Sequence, residues 1–130
     1  MKPKSLDRKK LRNSFKFALN GIKQCINNEQ NMFIHFTVAS IVVIGAFVFH
    51  ITVTEWMLCL VMIALVFAAE LINTSIEAVC DLVSKEENDY VKTAKDTAAG
   101  AVLVFSFAAF LIGLMVFLPK VLEVILWKKN

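Results

Sequence analysis

Thr97 to Leu118 runs twenty-two residues without a charged side chain, and a helix needs about 20 apolar residues to cross a bilayer core. Two further stretches have the same character. Phe36 to Val53 is uncharged and interrupted only by His50, and Trp56 to Ala69 is apolar throughout before it meets Glu70. Hydrocarbon tolerates only elements that satisfy their own backbone groups, so apolar runs of this length are helices. With 58% hydrophobic residues among 130 and a mean hydropathy of +0.65, the chain is too apolar for an ordinary soluble domain. The expected fold is all-α and integral to a membrane. Spans are expected at 33–53, 56–80 and 97–118 within a single domain of residues 1–130.

Charge at the ends of these runs sets the orientation. Lys2, Lys4, Arg8, Lys9, Lys10, Arg12, Lys16 and Lys23 crowd the N-terminal segment. The link at 50–55 has no lysine or arginine, whereas the link at 82–96 carries Lys85, Lys92 and Lys95. The bias of basic residues towards the cytoplasm places the N-terminus and the second link there. Lys120, Lys128 and Lys129 then fall outside, but the N-terminal excess is larger. The net charge of +3 suits anionic lipid headgroups better than nucleic acid, and no nucleic-acid partner is expected. Polar sequence continues as far as Glu29, where a secretory signal would show a short apolar core and a cleavage site.

Residues 1–12 read as a loosely ordered basic tail. Over 13–28, Phe15, Ala18, Leu19, Ile22 and Ile26 recur at helical spacing, with Lys16, Asn20, Lys23, Gln24 and Asn27 opposite and Phe17 as an exception. This is an amphipathic surface helix, suited to the headgroup layer or to docking on the protein itself. Residues 27–31 form a polar break before the first span. His35 and His50 read as polar tips at the two interfaces, and Glu55 with Trp56 marks the outer one. The small residues Thr97-Ala98-Ala99-Gly100-Ala101 let helix backbones approach closely in lipid. Pro119 is expected to stop the third span, leaving 120–130 as a tail. Cys25, Cys59 and Cys80 have no metal-ligand spacing and read as apolar free thiols.

Carboxylates make this chain more than a membrane anchor. At 100° per residue, Glu70, Asn73, Glu77 and Asp81 fall at about 0°, −60°, −20° and +20°, on one stripe of one helix. An acid at membrane depth marks a functional site by default. The chain has no glycine-rich phosphate loop, no nucleophile elbow and no paired-histidine zinc motif. A nucleotide would therefore be held through Mg²⁺, which takes one or two protein carboxylates plus substrate phosphates. Glu77 and Glu29 lie at the shallow level, with Glu70 roughly 10 Å deeper than Glu77. The shallow acids can meet a water-soluble metal–phosphate, and the deeper one can act as a base on a hydroxyl dissolved in the bilayer. Lys95 supplies a cation for phosphate charge. An enzyme, an ion pathway and a polar contact between helices all fit this stripe. The second corresponds to a small channel or transporter subunit, and the third to a non-catalytic adaptor.

The block Glu70-Leu-Ile-Asn73-Thr-Ser-Ile-Glu77-Ala-Val-Cys-Asp81, followed by Ala94-Lys95-Asp96-Thr-Ala-Ala-Gly100-Ala-Val-Leu, resembles the signature of the prokaryotic diacylglycerol kinase family. Phe15 to Lys23, Glu29-Gln-Asn31 and Glu55-Trp56 fit the same pattern, which covers roughly residues 13 to 120. The resemblance implies a bacterial cytoplasmic-membrane kinase of three spans and a surface helix, assembled as a homotrimer whose active sites draw on neighbouring subunits. It implies that Glu70 is the base on the lipid hydroxyl and that Glu29 and Glu77 hold Mg²⁺ and ATP. It further implies that Lys95, Asp96, Glu86 and Phe17 contact the nucleotide and that Asn73 supports the site. Asn88 stands where proteobacterial members have histidine, and Phe17 where they have tyrosine, so the ATP contacts differ at these two positions.

The Glu55-Trp56-Met57 entry, the run from Asp96 to Leu103 and the Phe117-Leu-Pro119-Lys120 exit are more similar to the Gram-positive branch of that family. That branch chiefly phosphorylates undecaprenol. The expected reaction is direct transfer from ATP to undecaprenol, with diacylglycerol as the alternative acceptor.

Overall fold

A computed structural model describes residues 7–84 and 88–127. Glu86 lies outside the described residues, as do Lys85 and the last three residues of the C-terminal tail. Four helices account for almost all of the described chain: α1 (Arg8–Asn28), α2 (Gln30–Val48), α3 (Val53–Val83) and α4 (Asp89–Trp127). The last three are long and apolar enough to cross a membrane.

Local chemistry sets each boundary, and several depart from the sequence expectation. α1 begins at Arg8, inside the segment read as a loose tail. The Asp7 carboxylate caps it, accepting from the backbone N–H groups of Lys9 and Lys10 at 2.9 and 3.2 Å. Such caps satisfy donors that a helix leaves orphaned at its start. The polar break at 27–31 shrinks to Glu29 alone, extended at φ −101° and ψ 119°, so that α2 starts at Gln30 rather than 33. α2 stops at Val48, earlier than the expected 53, because His50 adopts a left-handed backbone at φ 49°. Thr52 and Glu55 then form a reciprocal capping box that starts α3 at Val53.

The link expected at 82–96 is mostly helix. α3 persists to Val83, and the Asn88 side chain accepts from the Val91 N–H at 2.9 Å at the start of α4. Lys92, Lys95 and Asp96 are therefore helical residues. The largest correction is at Pro119, which does not stop α4; the helix runs through it to Trp127. A proline removes one amide donor and crowds the carbonyl four residues back, yet neighbouring elements can hold such a helix together. Here Phe117 packs on Phe49 with ring centroids 6.2 Å apart, and the Lys120 ammonium grips Glu55 at 2.7 Å. Both sides of the proline are anchored to earlier parts of the chain.

α3 and α4 form the principal packed pair, with α2 against α3 and α1 touching both α2 and α3. A small core of Ala46, Ile51, Cys59 and Val116 closes the end where α2 turns into α3, with Trp56, Phe49 and Phe117 around it. Gly45 lets Phe117 approach closely there, because a Cβ would lie 3.3 Å from Phe117 Cε1. Much of the apolar surface stays outside this core: Leu103 is 71% exposed and Met115 77%. All three cysteines are free and buried.

Candidate active site

The acids of α3 meet the start of α2. Glu70 is 1% exposed and Asn73 5%, the two buried polar or charged residues among those described. Both line a cleft of about 310 Å³ with Asn31 and His35 from α2 and Ala99, Val102 and Ser106 from α4. Asn31 and His35 are four residues apart, one helical turn, so α2 presents both to the same neighbour. The Asn31 side chain reaches the Glu70 carboxyl group, and His35 Nε2 lies 4.0 Å from Glu70 Oε2. Glu70 therefore lies level with the first turns of α2. The thirteen residues of α3 beyond it project about 20 Å past that level.

Three buried side-chain oxygens or hydroxyls among the described residues lack a hydrogen-bond partner: Glu70 Oε2, Asn73 Oδ1 and Ser106 Oγ. All three belong to residues lining this one cleft. Buried polar atoms are nearly always paired, because an unpaired one costs about 1–3 kcal/mol. Other hydroxyls on these helices return to their own backbone, Ser40 to the Phe36 carbonyl and Ser75 to the Leu71 carbonyl, both at 2.8 Å. Ser106 does not. Unsatisfied donors and acceptors thus gather where a polar group on a ligand would complete them.

Towards the end of α3 the stripe continues. Asn73 Nδ2 donates to Glu77 Oε1 at 3.0 Å, which fixes both side chains one turn apart. The charges of Glu29 and Glu77 both act on the Glu70 carboxyl group. Glu29 lies at the α1–α2 junction and lines an open cleft of about 640 Å³ between α1 and α3, with Cys25 and Thr74. The Cys25 thiol and the Thr74 hydroxyl, 3.4 Å apart, join the two helices beside it. Lys95 on α4 forms an ion pair with Asp81 on α3 at 2.5 Å, and its ammonium also feels the charge of Glu77.

The sequence-predicted residues therefore divide. Glu70 and Asn73 share the cleft at the α2 entry, Glu77 continues the stripe one turn beyond Asn73, Glu29 lines the cleft between α1 and α3, and Lys95 pairs with Asp81 further along α3. Asp96 is exposed on α4, and Phe17 is 69% exposed on α1 with no described contact to the cleft. Among the described residues, no three His, Cys, Asp or Glu side chains gather closely enough to hold a metal ion by themselves. Sequence reading missed Asn31, His35 and Ser106 as cleft residues. The spacing of Asn31 and His35 is the available signal, but the local sequence reads as an interfacial tip at His35; the structure turns it inward, at 18% side-chain exposure.

His35 and Ser106 also line a second, apolar cavity of about 220 Å³ deeper between α2, α3 and α4, walled by Val42, Cys59, Met62, Val66 and Phe110. The polar cleft and this cavity thus share two residues, and an acid stands beside a space fit for hydrocarbon.

Residues 16–117 match the prokaryotic diacylglycerol kinase family. The chain belongs to that family. It is 40% identical over 107 residues to the undecaprenol kinase of Bacillus subtilis, covering 82% of this chain and 87% of the relative. It is 33% identical over 111 residues to a diacylglycerol kinase of Synechocystis sp., covering 85% of this chain and 63% of the relative. A diacylglycerol kinase of Haemophilus influenzae is 30% identical over 92 residues, 71% of this chain and 78% of the relative. The resemblance carried by the Glu70–Asp81 and Ala94–Leu103 blocks is borne out, and the chain is a membrane lipid kinase.

Proposed function

We propose that this kinase transfers the γ-phosphoryl group of ATP to the hydroxyl of undecaprenol, with Glu70 as the general base. The observation that carries the base assignment is the unpartnered Glu70 Oε2 at 1% exposure in a cleft adjoining an apolar cavity. The 40% identity to an undecaprenol kinase supports the choice of lipid. In the proposed step the alcohol gives its proton to Glu70 as its oxygen attacks the γ-phosphorus in line. The bond to the β-phosphate oxygen breaks, and ADP leaves. Asn73 steadies Glu77 through its amide N–H and keeps a buried carbonyl oxygen without a partner.

Glu29 and Glu77 would hold the Mg²⁺ that arrives with ATP. Two carboxylates fit an ion that fills its remaining positions with phosphate oxygens and water, and bound there it neutralises charge on the transferring group. Lys95 keeps two of its three N–H donors free while paired with Asp81, and they would meet phosphate oxygens. Asp96, Glu86 and Phe17 complete the proposed nucleotide contacts. The N-terminus and the α3–α4 end face the cytoplasm in this reading, with the apolar side of α1 in the headgroup layer of the cell membrane.

The assembly is proposed to be a homotrimer. Exposed apolar faces on α2, α3 and α4 leave room for helix contacts as well as lipid, and exposed Asp96 and Phe17 would reach a site only from a neighbour. Mixing Asp96→Asn with Glu70→Gln protein tests this directly: recovery of turnover supports shared sites, and no recovery at any ratio refutes them.

Diacylglycerol is the second reading for the acceptor, favoured by the two relatives named for it. Labelled ATP offered to the purified kinase with undecaprenol and diacylglycerol in competition decides between them. Predominant label in diacylglycerol phosphate would overturn the undecaprenol assignment. Ion flux through reconstituted vesicles without ATP consumption would overturn the kinase mechanism itself.

A further inference from the structure

We propose that His35 is a positioning residue for Glu70, donating its Nε2–H to one lone pair of Glu70 Oε2 and so holding the other lone pair of that oxygen towards the acceptor hydroxyl. The inference rests on the reading of Glu70 as the base. Glu70 Oε2 is buried and lacks a hydrogen-bond partner. His35 Nε2 lies 4.0 Å from it, just outside hydrogen-bonding distance. Catalytic contacts of this kind are often long before substrate binds and tighten when the site fills.

Geometry limits what else His35 can do. It lies on α2 one turn after Asn31, so both polar groups of that face meet the same carboxylate from one rigid element. Its ring also lines the apolar cavity beyond the cleft. A chain entering there would press on the ring and could close the gap of about 1 Å to a good hydrogen bond. With Nε2 as donor, neutral imidazole leaves Nδ1 as acceptor, and no proton needs to leave His35 during turnover. Its role is orientation of the base. Misplacing a reacting group by about 1 Å costs on the order of 100-fold in rate.

The test uses three substitutions in the full chain, with Mg-ATP and undecaprenol in detergent micelles. His35→Gln keeps an N–H near the Nε2 position, His35→Phe keeps the ring volume without the donor, and His35→Ala removes both. The expected result is a kcat lower by about 10- to 100-fold for Ala and Phe, largely restored by Gln, with KM for Mg-ATP unchanged in all three. A packing role would give the opposite order, with Phe active and Gln impaired. Either that order or a Gln variant as slow as Ala overturns the proposal.

The same substitutions on a Glu70→Gln background separate this claim from the one beneath it. If His35 acts through Glu70, His35→Ala adds no further loss there, because the two changes are not additive. A full additional loss sinks the positioning role while leaving Glu70 as base. Wild-type turnover in the Glu70→Gln single variant instead refutes the base assignment.

Discussion

At the turn between α2 and α3, the Thr52, Glu55 and Lys120 side chains have all found partners. Thr52 and Glu55 cap each other's backbone, Lys120 closes on Glu55 at 2.7 Å, and the aromatic rings of Phe47 and Trp56 meet edge to face with centroids 5.0 Å apart. Away from that turn, level with the start of α2, Glu70, Asn73 and Ser106 keep buried polar atoms without partners. A chain with one compact core near the turn can tolerate unsatisfied groups far from it. The difference teaches that stability is concentrated at the turn and reactive capacity at the cleft, the division expected when a functional site breaks local rules that the remainder obeys.

The largest effect that can break this comparison is at Glu70. Glu70→Gln preserves shape and hydrogen-bonding capacity but removes the base, and turnover should fall by about 10² to 10⁴-fold. Binding of Mg-ATP should persist, measured by equilibrium titration of the purified protein. Near-normal turnover would make the unpartnered oxygen a packing accident. Glu77→Gln comes next. It leaves the Asn73 contact geometrically available but removes a charge from the proposed metal position, so KM for Mg-ATP should rise by about tenfold, equivalent to roughly 1.4 kcal/mol. An unchanged KM would remove Glu77 from the metal set. Glu29→Gln should follow the same pattern, although Glu29 lines the separate cleft between α1 and α3.

These residues also mark how far the sequence could be read. Carboxylates within apolar runs are conspicuous because hydrocarbon excludes them, so Glu70 and Glu77 stood out by composition alone. The helical nature of the three spans followed from length and hydropathy. His35 was less legible, since a histidine near a span end has the same local pattern whether it faces headgroups or a neighbouring helix. Only the crossing of α2 and α3 decides which. Ser106 was hidden for a related reason: serine on a membrane helix usually bonds its own turn, as Ser40 does. Pro119 reads as a helix stop because the sequence shows the missing donor and not the anchors on either side, Phe117 and Lys120.

A smaller effect is expected at the turn end. Thr52→Ala removes the side-chain acceptor for the Glu55 N–H and should cost about 1 kcal/mol of stability. Its kcat should match wild type, because nothing at the turn touches the cleft. A Thr52→Ala protein with normal melting and reduced turnover would contradict the separation of turn and cleft.

The smallest effect should come from Lys120→Met. Both partners of the Lys120–Glu55 pair are about a quarter exposed, at 24% and 23%, and ion pairs open to water contribute little. Methionine keeps most of the stem that packs beside α3 while removing the charge. The melting temperature should drop by less than it does for Thr52→Ala, and α4 should stay helical beyond Pro119, because Phe117 still holds the preceding turn against Phe49. Circular dichroism reads both quantities. A marked loss of helix content would show that the ion pair, rather than aromatic packing, carries α4 across its proline, and the turn would then depend on charge as the cleft does.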